Sequence, residues 1–344
     1  MEQKISYEFS PYTYARVSAM KGLLLKKNDY EKLLKLELNE IIKFLQEGTY
    51  SNEINELALK YQGLKLIERA LNKNLSKILT KIRQISDIEI QPLIDMYLKR
   101  YDYYNIKTLL RAKYSNLNFE EIEDLLIPVS SLNKNNLKKL YQKQIINILV
   151  DSKLLPNSIA KEEISKYENT KDLSSIENTL DFFYYKSTLQ LSQKIPEEGK
   201  LFKEFFEHEI SIYNLKLILK KIAFELDKRE IEKYIINGSK IFSIQQIKNL
   251  INSQSYESFY NEFKKTYYGK FIDFKEKDLL KYEVLFENFL LKKRNLLSHQ
   301  HPLTVDTILG FMFQKETEVK NLKVIVKSKS LQLESDYVEK LLVY

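Results

Sequence analysis

Three stretches of the chain carry one pattern at nearly equal intervals: "YYNIKTLLRAKYSNLNFEEIEDLLIP" from Tyr103, "YNLKLILKKIAFELDKREIEKYIIN" from Tyr213 and "KNLKVIVKSKSLQLESDYVEKLLVY" from Lys320. Aligned on their asparagines, Asn105, Asn214 and Asn321, they stand 109 and 107 positions apart (214 − 105, 321 − 214). Solenoid repeats recur every 20–50 residues or so. A unit more than twice that length has the size of a domain with its own core. The spacing therefore predicts three homologous bundles, here placed over 1–117, 118–227 and 228–344, and not a superhelix.

The aligned positions are helical in register. Ile106, Leu215 and Leu322 follow the asparagines directly, and Leu109 with Leu110, Ile218 with Leu219, and Ile325 with Val326 come four and five places on. Offsets of one, four and five share a side of a 3.6-residue helix, so each copy presents the same apolar stripe. Cations fall at two and six places: Lys107 and Arg111, Lys216 and Lys220, Lys323 and Lys327. Four apart, they stack on a neighbouring ridge. Eight places before the asparagines stand Tyr97, Phe206 and Phe313.

A second helix is expected from Glu120, Arg229 and Asp336, with Glu123, Glu232 and Glu339 coinciding. Acidic residues early in a helix suit its dipole. A further landmark lies upstream in "IERAL", "IENTL" and "FENFL", whose Glu68, Glu177 and Glu287 are again 109 and 110 apart (177 − 68, 287 − 177). Two landmarks keeping one spacing through three copies indicate internal triplication. Pro92, Pro196 and Pro302 each precede a motif helix, where proline is tolerated. The segment "YARVSAMKGLLLKKNDYEKLLKL" is similar to a partial fourth copy, its "NDYEKLL" echoing "SDYVEKLL".

Composition narrows the class. Seven glycines and six prolines among 344 residues argue for long helices with plain connections, and the fold is expected to be all-α. Neither "GKL" at Gly199 nor "GKF" at Gly269 has the glycines or Ser/Thr of a phosphate loop. The absence of cysteine excludes disulfides, thiolate zinc sites and cysteine nucleophiles. No apolar run reaches the ~18 residues that span a bilayer. The opening "MEQKISYEFSPYTYARV" lacks the apolar core of a secretory signal, so an intracellular location is expected. The formal charge of +8 is spread along the chain and favours nucleic acid or a membrane surface only mildly.

The repeated asparagine fits a packing residue whose amide bonds a neighbouring helix, or one of three equivalent contact points around an axis. The cation pairs fit a solvated face or an anion-facing rim. Catalysis has little support. His299 and His301 in "SHQHP" lack further metal ligands nearby, and the remaining histidine is His208. No nucleophile elbow or metal-binding helix motif is present. With 24 tyrosines and a basic charge, an RNA- or DNA-binding helical protein is an alternative, and a generic helical scaffold another. Most tyrosines fall in amphipathic segments, which favours packing over base stacking.

On these residues the chain resembles a known family. "ETEVKNLKVIVKSK" (316–329), preceded by "HPLTVDTILGFMFQK", is similar to the C-terminal signature of the C subunit of archaeal-type rotary ATPases, the counterpart of the d subunit in vacuolar proton pumps. "YDYYNIKTLLRAKY" resembles that family's first-copy motif through Asp102, Asn105, Ile106 and Lys107. "LSSIENTLDFFYYKSTLQ" and "YTYARVSAMKGLLL" match its middle unit and its opening, so the likeness covers essentially the whole chain. Two positions depart from it: Ser211 stands where an acid is common, and Lys327 where Arg111 suggests arginine.

The resemblance implies a funnel of three helical bundles about a pseudo-threefold axis. It implies a non-catalytic coupling without cofactor or metal, peripheral on the cytoplasmic face of the membrane and present as one copy per complex. One side would accept the central shaft, built from the D and F subunits, and the other would rest on the proteolipid ring. A cationic ridge near that ring would attract anionic groups by about 1 kcal/mol per well-placed Lys or Arg.

Overall fold

The structure, a computed structural model, describes residues 11–193, 200–273, 279–300 and 305–343; Pro196 and Pro302 lie outside them. All regular elements among the described residues are helical, as the scarcity of glycine leads one to expect. Four short helices open the chain: α1 (Pro11–Gly22), α2 (Lys27–Leu33), α3 (Leu38–Glu47) and α4 (Ser51–Leu57). Two long ones follow, α5 (Gly63–Ile85) and α6 (Gln91–Tyr114), then α7 (Phe119–Ile122), α8 (Lys134–Tyr141), α9 (Ile145–Asp151) and α10 (Asn157–Thr170). The long helices α11 (Ser174–Ser192) and α12 (Lys200–Ala223) precede α13 (Lys228–Glu232), α14 (Ile244–Asn252) and α15 (Tyr256–Phe263). The last are α16 (Leu279–Gln300), α17 (Val305–Ser330) and α18 (Ser335–Glu339).

Local chemistry sets the ends. Pro92 sits in the first turn of α6, where its missing N–H is no loss. Asn133 and Ser243 accept from the backbone of Asn136 and Gln246, satisfying first-turn donors of α8 and α14. The three asparagine-bearing helices α6, α12 and α17 stop in one way. Asn116, Glu225 and Gln332 take left-handed φ values of 54°, 51° and 55°, each eleven places after its asparagine (116 − 105, 225 − 214, 332 − 321). The next residue, always leucine, donates back five positions: Leu117 to Ala112, Leu226 to Lys221 and Leu333 to Ser328, each at 3.0 Å. This Schellman turn normally takes glycine. Here three non-glycine residues bear the left-handed conformation, at about 1–2 kcal/mol each. The second helix of each motif, α7, α13 and α18, starts within a residue of its expected position.

The described residues divide into two compact units, one holding those of 11–180 together with 305–342, the other those between 181 and 300. In the first, α17 runs along α5 and touches α1 and α3, while α6 packs on α8 and α9. A buried polar cluster joins the chain's beginning to its end there. Glu318 accepts from Tyr50 Oη at 2.6 Å, Lys315 Nζ at 2.7 Å and the Leu25 N–H at 2.6 Å. Burial, then the adjacent Glu318 carboxylate, raises the Tyr50 phenol well above its usual range, so it stays a proton donor. Farther along, Tyr97 and Tyr101 both donate to Glu316, tying α6 to α17. In the second unit α12 lies against α16, and α14 against α15. Tyr30, Tyr50, Tyr97, Tyr101, Tyr103, Tyr141, Tyr184, Tyr268 and Tyr282 are buried, which supports packing over base stacking for these rings.

His208 on α12 lies in the second unit's core, ringed by Tyr267, Tyr268 and Phe289. Its Nδ1 stands 2.9 Å from Tyr268 Oη. Burial, with a smaller push from the Lys293 ammonium, lowers its pKa from 6.5 to about 4. The unfolded chain then binds more protons than the folded one between these values, so stability should fall as pH drops from 6.5 to 4. The loss should reach roughly 3 kcal/mol. Urea unfolding across that range should show the slope in the wild type and a flatter profile in His208→Gln.

Candidate functional site: a repeated asparagine clamp and cation–carboxylate pair

The asparagines are buried and serve as backbone clamps. Asn105 donates from Nδ2 to the Ile127 carbonyl at 2.8 Å and accepts from the Ile127 N–H at 2.8 Å. Asn214 does the same with Ile236, at 2.8 and 3.0 Å. In both copies the partner lies 22 positions on (127 − 105, 236 − 214). A primary amide is the side chain that can mimic a peptide group, giving and receiving at once. It satisfies a strand-like segment that has no sheet to join. Asn321 is likewise buried on α17. In these two copies the amide holds a connecting segment and not a neighbouring helix.

The residue three places before each asparagine supports a second segment. Asp102 accepts from the N–H groups of Ser131 and Leu132 at 3.2 and 3.0 Å and from Ser131 Oγ at 2.7 Å. Ser211, the departure from the family pattern, instead meets Ser239 Oγ at 2.9 Å. A hydroxyl pair replaces a carboxylate cap.

The cation ridge meets the second landmark. Arg111 holds Glu177 through Nε and a terminal nitrogen at 2.5 and 2.7 Å. Lys216 reaches Glu287 at 3.2 Å, and Lys327 reaches Glu68 at 3.4 Å. Lys323 is half-buried and donates to Asn72 Oδ1 at 2.6 Å. Burial lowers its pKa to about 8, with Glu68 opposing the shift and Lys327 adding to it. Lys107 is also half-buried, whereas Lys220 is exposed. Each copy therefore spends at least one ridge cation on an internal carboxylate, always across two long helices. Both halves of this pair recur visibly in the sequence, and their recurrence at one spacing was the signal that could have linked them.

One repeated feature escaped the sequence pattern. At the ends of α6, α12 and α17, Tyr114, Phe224 and Leu331 are 54%, 65% and 68% exposed. Leu117, Leu226 and Leu333 lie beside them, partly exposed. Each copy thus leaves an aromatic or leucine exposed at its helix end. Among the described residues no group of three or more histidine, cysteine or acidic side chains is arranged to hold a metal ion. His299 and His301 lie outside the residues whose side chains are described. Gly269 has a packing explanation: a Cβ there would lie 2.5 Å from the Phe263 carbonyl oxygen.

Clamp and ion pair should differ sharply in energy. Asn105→Leu strands the buried N–H and carbonyl of Ile127 and should cost about 2–4 kcal/mol. Arg111→Gln removes a pair whose arginine is largely exposed and should cost under about 1 kcal/mol. Urea unfolding of the two variants checks the order.

Known proteins are similar to this chain in sequence. The chain matches the ATP synthase (C/AC39) subunit family over residues 13–341. It is 32% identical over 337 residues to the C subunit of the A-type ATP synthase of Methanococcoides burtonii, covering 96% of this chain and 93% of that protein. Against the C subunit of the A-type ATP synthase of Methanosarcina mazei it is 34% identical over 342 residues, with 97% and 93% covered. The corresponding protein of Archaeoglobus fulgidus is 29% identical over 334 residues, with 96% and 95% covered. With a family match over nearly its whole length, and relatives above 30% identity covered almost end to end, this chain belongs to the ATP synthase (C/AC39) subunit family.

Proposed function

We propose that the chain is a non-catalytic central-stalk component of an A-type ATP synthase, a socket that seats the D and F subunits of the shaft on the membrane proteolipid ring. It passes torque between ATP chemistry in the head and ion movement in the ring, with one copy per complex and no cofactor of its own. The observation that carries this reading is the meeting of both chain ends in one unit, where α17 lies along α5. The family match over residues 13–341 supports the same assignment. The backbone clamp of Asn105 and Asn214, and a cation–carboxylate pair between long helices in each copy, support the same reading.

The surface divides the work. No described helix is long and apolar enough to cross a membrane, which suits a peripheral seat on the cytoplasmic face of the ring. The apolar helix ends Tyr114, Phe224 and Leu331 are the proposed contact points for partner proteins. Of the ridge cations, exposed Lys220 is the one placed to meet an anionic partner. Lys216 and Lys323 face carboxylates or amides of their own unit, so reversing their charge would unseat helices.

Pull-down of the tagged chain from detergent-solubilised native membranes should bring down the D and F subunits and the proteolipid. A triple variant Tyr114→Ser, Phe224→Ser, Leu331→Ser should keep its circular dichroism and lose about tenfold in partner affinity, as loss of interface anchors does. Recovery of none of the three partners by the wild type would overturn the socket reading. Unchanged affinity of the variant would overturn the assignment of the helix ends.

A further inference from the structure

We propose that residues 25–57 are the second half of the third repeat, so that the chain is a cyclic permutation cut inside one bundle, closed by side chains where the other two are closed by backbone. The inference stands whichever partners the protein binds.

Three correspondences carry it. First, α2 repeats α8 and α14. Counting from Lys26, Asn133 and Ser243, which precede these helices, buried side chains fall four, seven and eight places on. They are Tyr30, Leu33 and Leu34; Leu137, Leu140 and Tyr141; and Ile247, Leu250 and Ile251. Second, a lysine from the long helix reaches the last of these positions each time. Lys329 Nζ donates to the Leu34 carbonyl at 2.6 Å, and Lys221 Nζ to the Ile251 carbonyl at 3.0 Å. Lys113 Nζ lies 4.5 Å from the Tyr141 ring centroid.

Third, the residue three before the asparagine finds its partner. Asp102 holds Ser131 and Ser211 holds Ser239, steps of 29 and 28 positions (131 − 102, 239 − 211). For Glu318 the accepted N–H comes from Leu25, far earlier in the chain. The helices that follow then fall into line: α5 brings Glu68 to Lys327, as α11 brings Glu177 to Arg111 and α16 brings Glu287 to Lys216. The N-terminal "NDYEKLL" therefore echoes α8 and α14 in structure. It completes the third copy and does not begin a fourth. On this accounting α1 is an addition without a counterpart in the other copies.

The cut also has a predictable width. Between the clamp partner Ile127 and the cap partner Ser131 lie three residues, 128–130, and the corresponding positions in the third copy are Val343 and Leu25. A join of about three residues between Val343 and Leu25 should therefore suffice, with α1 removed and new termini opened at the exposed 170–172 connection.

Hydrogen exchange on the full chain is the first test. In Glu318→Gln and, separately, Tyr50→Phe, amides of 25–57 and 305–335 should exchange about tenfold faster together, with the counterpart segments 131–170 and 239–270 little changed. Unaltered protection of 25–57 in both variants would overturn the proposal. The permutant is the second test, with a control chain nicked at 170–172 after folding to isolate the effect of the join. A soluble helical permutant melting close to the nicked control supports the assignment, and an unfolded permutant beside a folded nicked control overturns it.

Discussion

One buried carboxylate, Glu318 on α17, ties the early helices of the chain to its last long one. It gathers a phenol from Tyr50, an ammonium from Lys315 and a backbone N–H from Leu25, all from the opposite end of the sequence or its own helix. A buried ion pair is weak evidence of net stability, because desolvation consumes most of its attraction. Its value lies in specificity: an uncompensated Glu318 would cost several kcal/mol, so only the arrangement that delivers all three donors is tolerated. The docking of the early helices on α17 depends on that demand being met.

The remaining repeats reuse a small set of devices. The asparagine clamp supplies hydrogen bonds to an irregular segment that would otherwise bury unsatisfied peptide groups. The left-handed turn at Asn116, Glu225 and Gln332 ends each long helix within eleven places of its asparagine. Cation–carboxylate pairs set the register between neighbouring long helices. Each is modest in energy. Close-packed helical bundles of this kind compress little, which is what a torque-bearing coupling requires.

Much of this was legible in the sequence. The apolar stripe could be read because helical periodicity is local, and Ile106, Leu109 and Leu110 are indeed fully buried. Asn105 stood out because it repeats. Its partner Ile127 did not, because a backbone partner leaves no mark in residue type. Glu177 and Arg111 were both visible as repeated landmarks, but they lie 66 positions apart, and only the fold brings them together. The third copy was harder still. Its second half precedes its first in the chain, so a linear comparison finds "NDYEKLL" and takes it for a leftover. The left-handed turns were hidden for a different reason: asparagine, glutamate and glutamine share no turn signature, and the backbone bond from the following leucine does the work.

The socket role requires three such bundles to close around the end of a shaft made by other chains. Electron cryomicroscopy of the intact ATP synthase containing this chain tests that requirement most directly. A socket predicts density for the chain between shaft and proteolipid ring, with the bundle built from both termini completing a ring of three around the shaft's tip. Density in which the bundles lie in an open row, or in which the shaft meets the proteolipid ring with this chain elsewhere, would contradict it.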